Sequence, residues 1–149
     1  MAKDDNKRFY WLKLNTDFFK RKDVDGADAI QLLLRQPDGS KYVCIYLMLC
    51  LESVNKGGLL YYEANNTIIP YTLDDIKIEC RYYEPSEVQC AVDQFLALGL
   101  MSTVDIRGQM IFAMPEVPSL VGSETGAAAR MRLQRGKQPG LPNIGTGTN

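Results

Sequence analysis

The feature that most restricts what this chain can fold into is the unbroken apolar run Tyr42-Val43-Cys44-Ile45-Tyr46-Leu47-Met48-Leu49-Cys50-Leu51. It is about half the roughly 20 residues that a membrane span requires. A segment apolar on every side and too short to span belongs in a protein interior. The run therefore predicts a central core helix over Lys41 to Asn55, capped by Ser40 and ended by the turn chemistry of Lys56-Gly57-Gly58. The rest of the chain must supply elements that cover it. With 149 residues, 46% of them apolar, the chain is long enough for one hydrophobic core.

Covering elements are legible on both sides. Phe9-Tyr10-Trp11-Leu12-Lys13-Leu14 reads as a strand or extended anchor. Asn15 or Thr16 can cap a helical turn through Asp17, Phe18 and Phe19. A helical segment from Gly26 carries Ala29, Ile30, Leu32, Leu33 and Leu34, and stops at Gln36-Pro37-Asp38-Gly39. After the core helix, Leu59-Leu60-Tyr61-Tyr62 reads as a short strand. Thr72-Leu73-Asp74-Asp75 starts a helix to about Arg81, with a capping hydroxyl and two carboxylates at the positive end of the dipole. Glu84-Pro85-Ser86-Glu87 starts another, its proline suited to the first turn. Val88, Ala91, Val92, Phe95, Leu96 and Leu98 form its apolar face, and Gly99 closes it. Leu100 to Ile106 and Gln109 to Met114 are β-prone and flank Arg107-Gly108, which predicts a hairpin. Pro115 and Pro118 end the sheet. Ser123-Glu124-Thr125 offers a cap for a short arginine-bearing helix over Gly126 to Gln134. After Pro139 the composition predicts disorder.

The order helix, short strand, helix, helix, hairpin predicts a mainly α (α+β) fold, a winged helix-turn-helix with an N-terminal extension and a two-stranded β wing. The expected division is a winged-helix domain over residues 1–122 and a basic tail over 123–149.

The chain contains no histidine. That removes the commonest general base, the histidine-containing triads and most transition-metal sites. Cys44, Cys50, Cys80 and Cys90 make no closely spaced pair of the kind an all-cysteine zinc site needs, so they read as buried free thiols. No glycine-rich loop follows a strand and opens a helix as phosphate binding requires. No catalytic residue, metal or cofactor is assigned. Met1 to Arg8 is charged with no apolar stretch behind it, which is unlike a signal peptide and points to the cytoplasm.

Charge is distributed unevenly. Residues 1–124 hold 13 Lys/Arg and 18 Asp/Glu, whereas residues 125–149 hold Arg130, Arg132, Arg135 and Lys137 and no acid. The basic tail is either a solvated segment or an arm that contacts phosphates. Arg107, at the hairpin tip, is a further phosphate candidate, and Lys20, Arg21 and Lys22 form a second basic cluster. The helix Pro85 to Leu98, in the position of a recognition helix, carries acids and no Lys or Arg. Its Gln89 and Gln94 can read adenine edges, or can belong to a solvated or partner-packed face. Phe9, Trp11, Phe18 and Phe19 can stack on unpaired bases, but such a cluster more commonly serves a core or a dimer interface.

Three stretches carry a family likeness. Lys7-Arg8-Phe9-Tyr10-Trp11-Leu12-Lys13-Leu14 with Asp17-Phe18-Phe19 resembles the opening of the phage replisome organiser N-terminal domain. So does Ile45-Tyr46-Leu47 leading through Gly58 to Leu60-Tyr61-Tyr62-Glu63. A third match is Glu116-Val117-Pro118 with Leu120, Gly122-Ser123-Glu124-Thr125 and Arg130-x-Arg132. The resemblance implies a winged helix related to DnaD-type primosomal proteins, which self-associate, act at a replication origin and help recruit the helicase-loading machinery. The expected function is thus a DNA-binding replication initiator. Its expected partners are double-stranded origin DNA, further copies of itself and a helicase loader, in the cytoplasm of a bacterial host. The alternative is a protein-interaction or oligomerisation module of the primosome that touches DNA little.

Overall fold

The computed structural model describes residues 8–14, 18, 19, 29–125, 131, 133 and 134. The chain divides into two compact units, one formed by Trp11–Val121 and the other by Met1–Tyr10 with Gly122–Asn149. The elements in order are β1 (Arg8–Leu12), α1 (Ala29–Leu34), α2 (Gly39–Glu52), β2 (Tyr61–Ala64), β3 (Thr67–Pro70), α3 (Leu73–Glu79), α4 (Pro85–Leu98), β4 (Ser102–Ile106), β5 (Gln109–Ala113), α5 (Val117–Leu120) and β6 (Val121–Thr125). The protein is mixed α and β; among the described residues β1 pairs with β6, and β2 with β3 and β4 with β5 form antiparallel hairpins.

The apolar run is the centre of the larger unit, as its composition demands. Tyr42, Val43, Ile45, Tyr46, Leu49 and Cys50 of α2 are buried, and Tyr46 stacks edge-on against Phe95 of α4 with ring centroids 5.7 Å apart. Leu33, Ile76, Val88, Ala91, Phe95 and Met114 complete the same core. Burial on all sides is not realised, however. Cys44 and Leu51 are exposed, because the covering elements leave one stripe of α2 open. Of the four cysteines only Cys50 and Cys80 are buried, which corrects the expectation that all four would be, and all four are free thiols.

The limits of α2 also differ from the sequence expectation. Ser40 does not cap it. The helix starts at Gly39 behind Asp38, with no side-chain cap. Gly39 sits against the backbone of α1, where a Cβ would lie 2.2 Å from the Leu33 carbonyl oxygen. That close approach sets the start. The helix stops at Glu52 rather than Asn55 because Ser53, fully buried, turns its hydroxyl back onto the carbonyls of Leu49 (3.0 Å) and Cys50 (3.3 Å). Local hydroxyl-to-carbonyl bonds of this kind compete with helix continuation.

The helices α3 and α4 form as their sequence signals predict. Thr72 and Asp75 make a reciprocal capping box at α3. Pro85 occupies the first turn of α4, and Gly99 ends it in the left-handed conformation at φ 79°. Glu87 accepts from the Glu84 amide at 3.1 Å and also pairs with Lys41 of α2. The two acids and the lysine therefore fasten the start of α4 to the start of α2.

One hairpin escaped the sequence reading. Leu59 to Tyr62 is not a single strand. Leu59 bridges Ala113, and Tyr61 opens β2, which pairs with β3 in the register Tyr61 to Pro70, Tyr62 to Ile69, Glu63 to Ile68 and Ala64 to Thr67. Asn65 and Asn66 turn the chain between them at φ 55° and 61°. Two successive left-handed residues are the geometry that hairpin twist favours, and asparagine tolerates it better than most side chains.

A second correction concerns Ser123-Glu124-Thr125, which is no helix cap. It lies in β6, whose partner is β1. Met131, Leu133 and Gln134 are helical, in keeping with the short helix expected there. The helical turn starting at Asn15 or Thr16, the segment Lys20 to Asp28 and the stretch beyond Gln134 lie outside the described residues, apart from Phe18 and Phe19, which stand in a turn.

Candidate nucleic-acid interface

Two hairpins stand side by side on one edge of the larger unit, and the buried Leu60 bonds to both. Leu60 donates its amide to the Phe112 carbonyl of β5 at 2.9 Å and accepts from the Tyr71 amide, just past β3, at 3.1 Å. Met114 donates to the Gly58 carbonyl at 2.6 Å, so the segment 58–60 runs along β5 as a short third strand. Leu60 is fully buried, which fixes the register on the core side.

Lys56 supplies the second attachment. Its ammonium donates to the Tyr61 carbonyl and lies over the rings of Tyr61 (5.2 Å) and Tyr71 (5.7 Å). Cation–ring contacts at this range are attractive. The Tyr71 hydroxyl donates to Glu52 Oε2 at 2.7 Å. Burial first, and then the neighbouring Glu52 carboxylate, raise the pKa of Glu79 above the ordinary carboxylate value. The same causes push the Tyr71 phenol upward. The base of the β2–β3 hairpin is thus tied to the ends of α2 and α3.

A cleft of about 390 Å³ separates the hairpins. Glu63, Asn66, Thr67 and Ile68 line one wall, and Ile106, Arg107 and Gln109 line the other. Arg107 holds φ 54° and Gly108 φ 83°, so the β4–β5 tip has the same doubly left-handed turn as the β2–β3 tip. The Gly108 amide donates to Asp105 Oδ1 at 2.9 Å, which sharpens the turn. Arg107 is exposed and makes no ion pair among the described residues.

The glutamines of α4 are committed to the protein itself. Gln94 accepts from Gln36 Nε2 at 2.7 Å in a partly buried contact, which ties α4 to the α1–α2 connection. Gln89 donates to Asp93 Oδ1 at 3.2 Å along the helix. The exposed positions of α4 are Pro85, Ser86, Cys90, Asp93, Leu96 and Ala97. The helix therefore offers a polyanion no cation.

Phe9 and Trp11 are exposed on β1. Phe18 is half-buried and packs on the core, with the exposed Phe19 ring edge-on to it at 4.8 Å. Arg130, Arg132, Arg135 and Lys137, and the cluster Lys20-Arg21-Lys22, lie outside the described residues.

What sequence reasoning missed at this edge is the β2–β3 hairpin with Glu63 and Asn66, and the place of Gln109 in the wall that faces it. The available signal was the Asn65-Asn66 pair between Tyr61-Tyr62 and Ile68-Ile69, a turn flanked by β-prone residues. No helix among the described residues is long and apolar enough to cross a membrane, and no group of three or more potential metal-ligating side chains occurs among them.

The family model of the N-terminal phage replisome organiser matches residues 11–140. No curated protein and no solved structure matches the chain significantly. The chain belongs to the N-terminal phage replisome organiser family, which ties it to phage replication initiation.

Proposed function

Starting from that membership, we propose that the chain is a winged-helix DNA-binding protein that engages double-stranded origin DNA and helps assemble the replication machinery. The observation that carries this reading is Arg107, an exposed cation at the tip of the β4–β5 hairpin that makes no ion pair among the described residues. The order α2, segment 58–60, the β2–β3 hairpin, α3, α4, β4–β5 supports a winged-helix reading in which β2–β3 is an added hairpin and the segment 58–60 joins the wing to the helices. In this reading residues 1–122 form the winged-helix domain and residues 123–149 a basic arm. Arg107, Arg130, Arg132, Arg135 and Lys137 meet phosphates. Gln89 and Gln94 contribute little, since their amides are already engaged. The protein acts without catalysis, in the host cytoplasm, as a homo-oligomer whose interface includes Phe9, Trp11 and Phe19. A helicase loader is the partner it recruits.

A second reading has its own support. The α4 surface, with Asp93 exposed and no Lys or Arg, suits a protein partner better than a major groove. A gel-shift salt titration on origin-bearing phage DNA separates the two. Each phosphate neutralised adds about 0.9 to the slope of log K against log salt. Deleting residues 126–149 removes four cations and is expected to lower the slope by about 3–4, and Arg107→Ala by about 1 more. Salt-independent binding, or none, refutes the DNA reading and favours the protein-interaction one.

A further inference from the structure

We infer that the cleft between the two hairpins receives one unpaired nucleotide of a DNA strand and favours bases that carry an exocyclic amine. The inference rests on the DNA-binding reading and deepens it, since the cleft takes up Arg107 and adds residues that the reading does not use.

The size of the cleft limits its occupant. About 390 Å³ is at the lower end of the roughly 300–1,000 Å³ of small-ligand pockets. That is room for one flipped or single-stranded nucleotide and not for a double helix.

The chemistry of its walls narrows the choice. Glu63 and Ile68 are register partners on the β2–β3 hairpin, and Ile106 and Gln109 are register partners on β4–β5. Cross-strand partners share a face of the sheet. Each wall therefore offers one isoleucine and one polar group together, an apolar surface for the plane of a base and a hydrogen-bonding group for its edge. Asn66 and Arg107 stand at the two hairpin tips, where each occupies a left-handed turn position. Arg107 can hold the phosphate of the nucleotide whose base lies between the walls. Guanidinium groups both pair with phosphates and stack on bases.

Glu63 decides between a bare sugar–phosphate strand and a base. A carboxylate in the wall repels a phosphate, so the cleft is a poor channel for backbone alone. As an acceptor without a donor of its own, it matches the amino group of cytosine, adenine or guanine. Thymine has no such group. Glu63 therefore selects against thymine, while Asn66 and Gln109, with both donors and acceptors, serve any base.

The test is fluorescence anisotropy at neutral pH with the full chain, using labelled oligo-dC, oligo-dT and a mixed-sequence duplex. The wild type is expected to bind oligo-dC about tenfold more tightly than oligo-dT, the discrimination typical of one well-placed base contact. Glu63→Thr, which keeps a β-forming residue, should bring that ratio to about one, whatever the loss of a negative charge does to both affinities. The pair Asn66→Gly with Gln109→Thr should weaken both single strands about tenfold while leaving the duplex within about twofold. Glycine retains the turn conformation at position 66, so the hairpin is preserved. Duplex binding with equal affinity for the two oligonucleotides overturns the inference and leaves the DNA reading standing. Equal losses on single strand and duplex in the paired variant also overturn it. Absence of binding to all three DNAs overturns both.

Discussion

Gly58 is where the β4–β5 hairpin joins the helices, and replacing it tests that junction. Its φ is +87°, and a Cβ there would lie 2.5 Å from the Met114 carbonyl oxygen and 3.3 Å from Val117 Cβ. Two costs follow for Gly58→Ala. An L-residue in the left-handed region costs roughly 1–2 kcal/mol. Forcing a methyl against backbone that cannot rotate away adds about 1–3 kcal/mol, as overpacking commonly does. The sum, about 2–5 kcal/mol, is a large part of the roughly 5–15 kcal/mol that holds a domain folded. Gly57→Ala is the control. Its φ is +66° with nothing within 4 Å of the added Cβ, so it carries the conformational cost alone, about 1–2 kcal/mol. Urea unfolding followed by circular dichroism measures both. The expected gap between the variants is about 1–3 kcal/mol. If the two lose the same stability within about 0.5 kcal/mol, a typical error for such comparisons, the close approach of segment 58–60 to β5 is not what makes position 58 glycine.

Three further outcomes are expected. Thr72→Ala and Asp75→Ala each remove half of one capping box and should each cost about 1 kcal/mol, with the double variant well short of additive because they share one motif; chemical denaturation of the three variants checks this. In native protein at neutral pH a thiol reagent should modify Cys44 and Cys90 quickly, leaving Cys50 and Cys80 for denaturing conditions, because these two are buried and burial pushes their thiols up to about 12 and about 11; prompt reaction of all four contradicts the packing of α2 and α3. Stability against pH should respond oppositely at two glutamates. Burial and Glu52 raise the pKa of Glu79, so its contribution is present at acid pH and lost as pH rises through its folded value, and Glu79→Gln should be the more stable protein at neutral pH with the advantage closing on acidification. The Lys41 ammonium lowers the pKa of Glu87, so its contribution is present above the ordinary carboxylate value and lost as pH falls, and Glu87→Gln should be the less stable at neutral pH with the deficit closing on acidification.

What the sequence makes legible follows from which forces are local. The caps of α3 and α4, the glycine at position 99 and the Arg107-Gly108 turn depend on a few neighbouring residues, and all are where the sequence puts them. The limits of α2 are not local. They depend on Gly39 meeting the α1 backbone and on a buried hydroxyl at Ser53, both products of packing. The strand β6 is hidden from the sequence for a like reason. Ser123-Glu124-Thr125 has good capping chemistry, and only pairing with the distant β1 overrides it. The Asn65-Asn66 turn is local and readable, but Leu59 to Tyr62 read as one strand leaves no partner for Ile68-Ile69. The candidate cleft was half legible. Arg107 stood out by its charge and its turn, while Glu63 and Gln109 acquire meaning only when two hairpins separated by α3 and α4 come together.

That juxtaposition bears on how an acidic body can meet DNA at all. Lys41 pairs with Glu87, and Lys56 lies over the tyrosines at the base of β2. These two cations are thus engaged within the protein. Asp93 stays exposed on α4 with no cation on the same helix, so an approaching duplex is repelled from the helix that a major-groove reader would insert. Repulsion of this kind acts over about a Debye length, roughly 8–10 Å at moderate salt. Arg107, at the end of a hairpin, offers an exposed cation on a different element from the acids of α4. Moving one charge between these places tests the account. Asp93→Asn should strengthen duplex binding at low salt and lose that gain as salt rises, since it only removes a screened repulsion. Arg107→Ala should weaken binding at every salt concentration where binding is measurable. An Asp93→Asn variant with unchanged affinity at low salt would place the duplex far from α4 and leave the hairpin edge as the whole of the contact surface on the body.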